Sequence, residues 1–287
     1  MDSTTETSQP VQNIVTFVFF NFLFRSVFYY LIISSGKLVA AGGNYVLGIM
    51  WCPAMAAFTT CFLRKKNLSE LGWRWTKAKD AALSYFIPLA YALIVYIIVW
   101  ITGLGKFFDP EFVKGIATNY GWKNLSPGLT IFFYLVFAAT LGMIRSCGTA
   151  LGEEIGWRGF LVPELSKVTS FPKTALISGI IWSMWHYPIL LFADYNSGTP
   201  AWFGLSCFTI MVVGISFIYA YFRLKTGSLW TGVLLHASHN LFIQGFFDPI
   251  TRQSEMTKYV IGEFGIALAI MGIICAVIFW KLGAQNI

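Results

Sequence analysis

The stretch Ala81–Leu104, AALSYFIPLAYALIVYIIVWITGL, decides the class of fold, because its twenty-four residues include no charged side chain. A helix needs about 20 apolar residues to cross the hydrocarbon core of a bilayer, so this run reads as a membrane span. Working outward, comparable runs cover Val11–Ile33, Ala40–Leu63, the stretch from Leu129 onward, Phe171–Phe192, Trp202–Phe222, Leu229–Phe246 and Tyr259–Trp280. The sequence therefore predicts an all-α, polytopic integral membrane bundle of about eight transmembrane helices. Composition agrees: 56% of the 287 residues are hydrophobic and 11% are charged, where a soluble domain carries roughly a quarter charged residues. Twenty Lys and Arg with thirteen Asp and Glu are too few to cover a water-facing surface, so lipid is the solvent for most of this one.

Charge sets the expected orientation. Arg64, Lys65, Lys66, Arg74, Lys77 and Lys79 form the densest basic cluster, and the positive-inside rule places that loop, and with it both termini, in the cytoplasm. With eight alternating spans, twelve basic residues then fall inside against six outside. The N-terminal tail, with Asp2 and Glu6 but no basic residue before the first apolar run, lacks the n-region of a cleaved signal peptide, so that run is expected to stay as an anchor. The segment Lys106–Pro127 reads as an interfacial excursion, with Asp109-Pro110 as a helix start. The modest net charge of +7, without a basic stripe, excludes a nucleic-acid face. Five cysteines without CxxC spacing read as small core residues. Membrane lipid is the expected partner of the basic loop, in which Trp73 and Trp75 interrupt the cations. Along the chain, residues 1–140 read as N-terminal helices with that loop and the excursion, 141–245 as the core that carries chemistry, and 246–287 as a C-terminal span, all within one membrane domain.

Ionisable groups inside lipid are costly and call for a function. They gather at Gly152–Arg158 (GEEIGWR), at Trp182–Pro188 (WSMWHYP) and at His236–Asn240 (HASHN), and the last two stretches hold all three histidines of the chain. Helix geometry places Glu154 and Arg158 one turn apart, able to pair, with Glu153 turned about 100° away. Ser166–Pro172 reads as the turn of a hairpin. Glu153 and His186 lie at equal chain distance from it, each roughly 25 Å along a helix. His236 reaches their layer if the hairpin protrudes on the cytoplasmic side. A Glu and a His sharing a water suit general-base hydrolysis, while a second His with an Asn amide suits oxyanion stabilisation. Glu153, His186 and His236 equally suit a zinc ligand set with a water in the open position.

These three stretches resemble the motifs of CPBP-family intramembrane proteases, which include type II CAAX prenyl endopeptidases, bacteriocin-processing enzymes and Abi proteins. EExxxR is matched by Glu153, Glu154 and Arg158, FxxxH by Trp182 to His186 with Trp in place of Phe, and HxxxN by His236 and Asn240. The resemblance covers roughly residues 141–245. It implies a glutamate-dependent endopeptidase in which Glu153 and His186 activate water and His236 and Asn240 stabilise the oxyanion, with Glu154, Arg158 and Trp182 in support and no cofactor. His239 is an extra histidine that joins the site or occupies a helix interface. The implied substrate is a peptide or a lipid-modified protein. Two other classes use similar residues: a proton-coupled carrier, which should show paired repeats that are missing here, and a silent immunity scaffold. Arg25 and Arg145 read as snorkelling or interhelical cations.

Overall fold

The computed structural model describes residues 3–38, 40–193 and 195–287; the acidic N-terminal residue Asp2 lies outside them. The long helices are α1 (Ser3–Ser35), α2 (Asn44–Leu63), α3 (Ala78–Ile101), α8 (Phe171–Phe192), α9 (Ala201–Thr226) and α12 (Ile266–Asn286). Between α3 and α8 run the short strand β1 (Lys106–Phe107), the short helix α4 (Pro110–Asn119) and one continuous helical rod, Pro127–Ser166. The rod comprises α5 (Pro127–Phe137), α6 (Met143–Glu154) and α7 (Val162–Ser166), joined by π-helical turns at Ala138–Gly142 and Ile155–Leu161. After α9 come α10 (Trp230–Phe242), a third π turn at Ile243–Phe247, the single turn α11 (Asp248–Ile250) and β2 (Thr251–Arg252), which pairs antiparallel with β1. Seven helices among the described residues are long and apolar enough to cross a membrane by themselves. The eighth expected run, Leu229–Phe246, is the shorter helix α10 continued by the π turn, and it is not among those seven. The protein is an integral, multi-pass membrane bundle.

Loop pairings fix the sidedness of the helices. The basic loop after α2 meets the turns that follow α7 and α9: Lys66 Nζ lies 3.3 Å from Glu164, and Leu229 N donates to the Gly72 carbonyl at 2.9 Å. On the opposite side, β1 meets β2, and Asp109 caps α4 by accepting from Phe112 N at 2.9 Å. That cap is the helix start read from Asp109-Pro110. Arg25 is buried, with its guanidinium 3.6 Å from the ring centre of Phe22 on the same helix. Arg145 stays exposed on α6.

The last span departs from expectation. Its helix begins at Ile266, not Tyr259; residues 251–265 form a folded connection, with Gly262 at φ +71°. A positive φ is open to glycine and breaks the helical backbone there.

Glycine also sets how closely α2 approaches the rod. A Cβ on Gly152 would stand 2.7 Å from the Met50 carbonyl, and one on Gly156 would stand 2.7 Å from backbone atoms of Pro53. The small side chains let two helix backbones touch, which is how membrane helices pack where lipid supplies no hydrophobic drive. Gly156→Ala is expected to lower stability by about 1 to 3 kcal/mol, the usual cost of forcing a methyl group into filled space. Thermal unfolding in detergent checks this, and an unchanged midpoint would show that α2 is free to yield.

Candidate active site

Glu153 and Glu154 end α6, and both are buried, at 2% and 0% exposure. Their positions one residue apart turn them to different neighbours. Glu154 Oε1 takes Arg158 Nη1 at 2.9 Å and His236 Nδ1 at 2.9 Å. The Arg158 guanidinium packs against the rings of Trp182 and Tyr219, with Cζ 4.1 Å from each centre and the two rings 5.5 Å apart. Its Nε and Nη2 find no hydrogen-bond acceptor among the described residues, and the cation–π contacts offset part of that cost. Glu154 therefore acts as an orienting group. It fixes His236 by one ring nitrogen and leaves Nε2 for the cavity.

Glu153 stands apart from that pair, as its rotation requires. Its Oε2 accepts the indole N–H groups of Trp182 at 2.9 Å and Trp157 at 3.2 Å, while Oε1 has no protein partner among the described residues. Trp182 occupies the aromatic position of the second motif and adds to it a donor that a phenyl ring lacks. His186 sits one turn further along α8. Its Nδ1 lies 3.0 Å from the Trp182 carbonyl; a carbonyl only accepts, so Nδ1 carries the proton and Nε2 is left as a lone pair in the neutral ring. Equal chain distance from the turn put Glu153 opposite His186, whereas the indole that reaches Glu153 belongs to the residue one turn nearer the hairpin. The π segment at Ile155–Leu161 explains the offset. Its i→i+5 bonding fits an extra residue into each turn, so Glu153 lies closer to the hairpin than α-helical rise predicts.

Glu153, His186, His236 and Asn240 line one cavity of about 160 Å³. Apolar side chains make up much of the remaining wall, from Ile49 and Met50 of α2 to Phe208, Met211 and Ile215 of α9. The structure thus gathers all four sequence-predicted catalytic residues, with Trp182 in the wall and Glu154 and Arg158 behind it.

The same cavity holds a second polar cluster. His239 Nε2 lies 3.0 Å from Glu263 Oε1, the Tyr195 hydroxyl donates to Glu263 Oε2 at 2.8 Å, and the Tyr91 hydroxyl meets His239 Nδ1. Glu263, Tyr195 and Gln244 also line the cavity. Burial alone would raise the Glu263 carboxyl, but the hydrogen bond and charge of His239, with the Tyr195 hydroxyl and the Gln244 amide, outweigh it and hold the group at about 2. His239 therefore faces the cavity and an ion-pair partner together. The sequence carried one signal for Glu263, a lone acid between glycines in an apolar run, Gly262-Glu263-Phe264-Gly265. Tyr195 carried none.

The zinc ligand set of Glu153, His186 and His236 shares the cavity, but among the described residues no three His, Cys, Asp or Glu side chains converge as metal ligands.

Residues 127–242 match the family model described as Rce1-like, type II CAAX prenyl endopeptidase Rce1-like. That interval contains all three motifs. Over that interval the chain is similar to the Rce1-like type II CAAX prenyl endopeptidases. Over 163 residues, 54% of this chain and 54% of the relative, it is 28% identical to CAAX prenyl protease 2 of Methanococcus maripaludis. Over 115 residues, 39% of this chain and 34% of the relative, it is 30% identical to the uncharacterized protein YyaK of Bacillus subtilis. The matched segments thus span about half and about a third of those relatives' lengths. The matched interval ends before Gln244 and Glu263, so the second polar cluster is built partly from residues outside it.

Proposed function

We propose that the protein is an intramembrane, glutamate-dependent endopeptidase that hydrolyses a peptide bond of a membrane-associated, prenylated or otherwise lipophilic protein or peptide. The observation that carries this reading is the pairing of two free basic edges, Glu153 Oε1 and His186 Nε2, in one buried cavity. A water held between them gives its proton to the carboxylate as its oxygen attacks the scissile carbonyl. The C–O bond forms while the carbonyl π pair moves to oxygen. That oxyanion accepts from the Asn240 amide and from His236 Nε2–H. With Nδ1–H given to Glu154, Nε2 donates when the ring carries both protons. Collapse of the tetrahedral intermediate breaks the C–N bond, and Glu153 returns the proton to the leaving amine. The apolar walls keep bulk water out and accept a lipophilic substrate side chain or lipid group.

The basic loop and both termini are assigned to the cytoplasmic side. The sequence places twelve basic residues there against six, and contacts such as Lys225 with Asp80 at 3.1 Å gather those loops at one end of the bundle.

Comparative peptidomics of membranes from cells expressing the wild-type protein or Glu153→Ala tests the reading. Fragments present only with wild type support an endopeptidase and name its substrate; identical peptide profiles contradict it. Metal dependence has its own outcome. Since hydrogen bonding fills the roles of His236 and Asn240 without an ion, purified protein is expected to hold substoichiometric zinc and to keep its activity under strong chelation. One zinc per chain by elemental analysis, lost in parallel with activity, would move Glu153, His186 and His236 into a ligand role.

A further inference from the structure

At the end of α9 a cation is buried without an acid beside it. Arg223 is 5% exposed, and its Nε donates to the Arg158 carbonyl at 2.6 Å, Nη2 to the Glu70 carbonyl at 3.2 Å and Nη1 to the Gly227 carbonyl. No carboxylate among the described residues forms an ion pair with it. Carbonyl dipoles satisfy three of its five N–H groups and offset part of the charge, as cations at helix C-termini generally find. A whole counter-charge is missing, and a buried ion without one is costly.

The guanidinium borders a cleft of about 530 Å³ that is also lined by Arg74, Ser69 and Thr226. The single acid in that lining is Glu70, whose carboxylate is held by Lys66 at 2.8 Å. The cleft therefore presents an excess of positive charge, one fixed guanidinium at the wall and one exposed at the rim. Its depth is marked by tryptophans. Trp230 Nε1 donates to the Trp73 carbonyl at 2.7 Å, the rings of Trp75 and Trp230 lie 5.4 Å apart, and Trp73 and Trp75 are exposed. Indoles with one wet edge and one apolar face settle at the headgroup level of a bilayer.

We propose that this cleft binds a phosphate group, supplied by the headgroup of an anionic phospholipid. Arg223 retains one N–H on each terminal nitrogen, a fork that matches two phosphate oxygens, and Arg74 closes over the anion from the rim. The acyl chains run from the cleft into the surrounding lipid past the indoles. The proposal does not depend on the hydrolytic reading, because none of the cavity-lining catalytic residues contributes to it.

Delipidated protein, native mass spectrometry and thermal unfolding test it with three additives: dioleoylphosphatidylglycerol, dioleoylphosphatidylcholine and inorganic phosphate. Wild type is expected to retain phosphatidylglycerol in preference to phosphatidylcholine and to unfold at a higher temperature with it. Arg74→Gln, an exposed substitution that leaves the fold in place, should weaken the apparent affinity about five-fold, the effect of one interfacial cation. Arg223→Lys keeps the charge but loses the fork and should weaken it at least as much. Stabilisation by inorganic phosphate without any by phosphatidylglycerol keeps the phosphate site and overturns its lipid source. Equal phosphatidylglycerol binding by wild type, Arg74→Gln and Arg223→Lys overturns the site itself.

Discussion

Glu153→Gln is expected to lower kcat by about a thousand-fold or more, within the range that general acid–base groups supply, while the protein unfolds at nearly the wild-type temperature. The stability half follows from the contacts. The side-chain carbonyl of Gln still accepts the indole N–H groups of Trp182 and Trp157, which now meet Oε2, and the volume hardly changes. The activity half follows from chemistry, since an amide oxygen does not take a proton from water near neutral pH. Glu154→Gln should differ. It weakens the partner of both Arg158 and His236 inside the bundle, so stability and activity fall together. Unfolding curves and single-turnover rates for the two variants check the distinction. A Glu153→Gln protein active within a few-fold of wild type would remove Glu153 from the role of base.

The second large effect separates the two histidines of α10. His239→Ala leaves Glu263 buried, at 6% exposure, without its ion-pair partner. The expected cost is about 3 to 5 kcal/mol of stability, because breaking a buried pair strands a charge. The double variant His239→Gln with Glu263→Gln removes the carboxylate together with its partner and should recover most of that loss. His236→Ala and Asn240→Ala are expected to act on kcat instead, by about a hundred- to a thousand-fold, the range for loss of one oxyanion donor. Denaturation of the four proteins, with kinetics on one cleavable peptide, separates these effects. A His239→Ala protein as stable as wild type would show that the Glu263 pair contributes nothing.

What the sequence disclosed depends on whether the signal is local. Apolar runs and their lengths gave the bundle, and the i, i+4 spacings of Glu154 with Arg158 and of His236 with Asn240 gave the candidate site, because helix periodicity is a local rule. The pairing of His236 with Glu154 crosses 82 residues and needed the fold. So did the partner of His239: the apolar run from Tyr259 looked like the start of a span, while Gly262 at φ +71° turns it into a connection that delivers Glu263 to the cavity. The one-turn offset between Glu153 and His186 was hidden for a different reason. No composition rule marks a π turn, and Ile155–Leu161 reads as ordinary helix. Trp182 was legible as an aromatic wall, but its bond to Glu153 requires the depth at which α8 meets the rod.

Hydrolysis itself is tested most directly by wild-type protein reconstituted in liposomes with a farnesylated CAAX peptide, in water enriched in ¹⁸O, with Glu153→Gln alongside and the fragments read by mass spectrometry. The proposed mechanism predicts cleavage by wild type alone, with one ¹⁸O in the new carboxyl terminus after a single turnover. Equal cleavage by the Glu153→Gln protein, or fragments from wild type without the label, would contradict it.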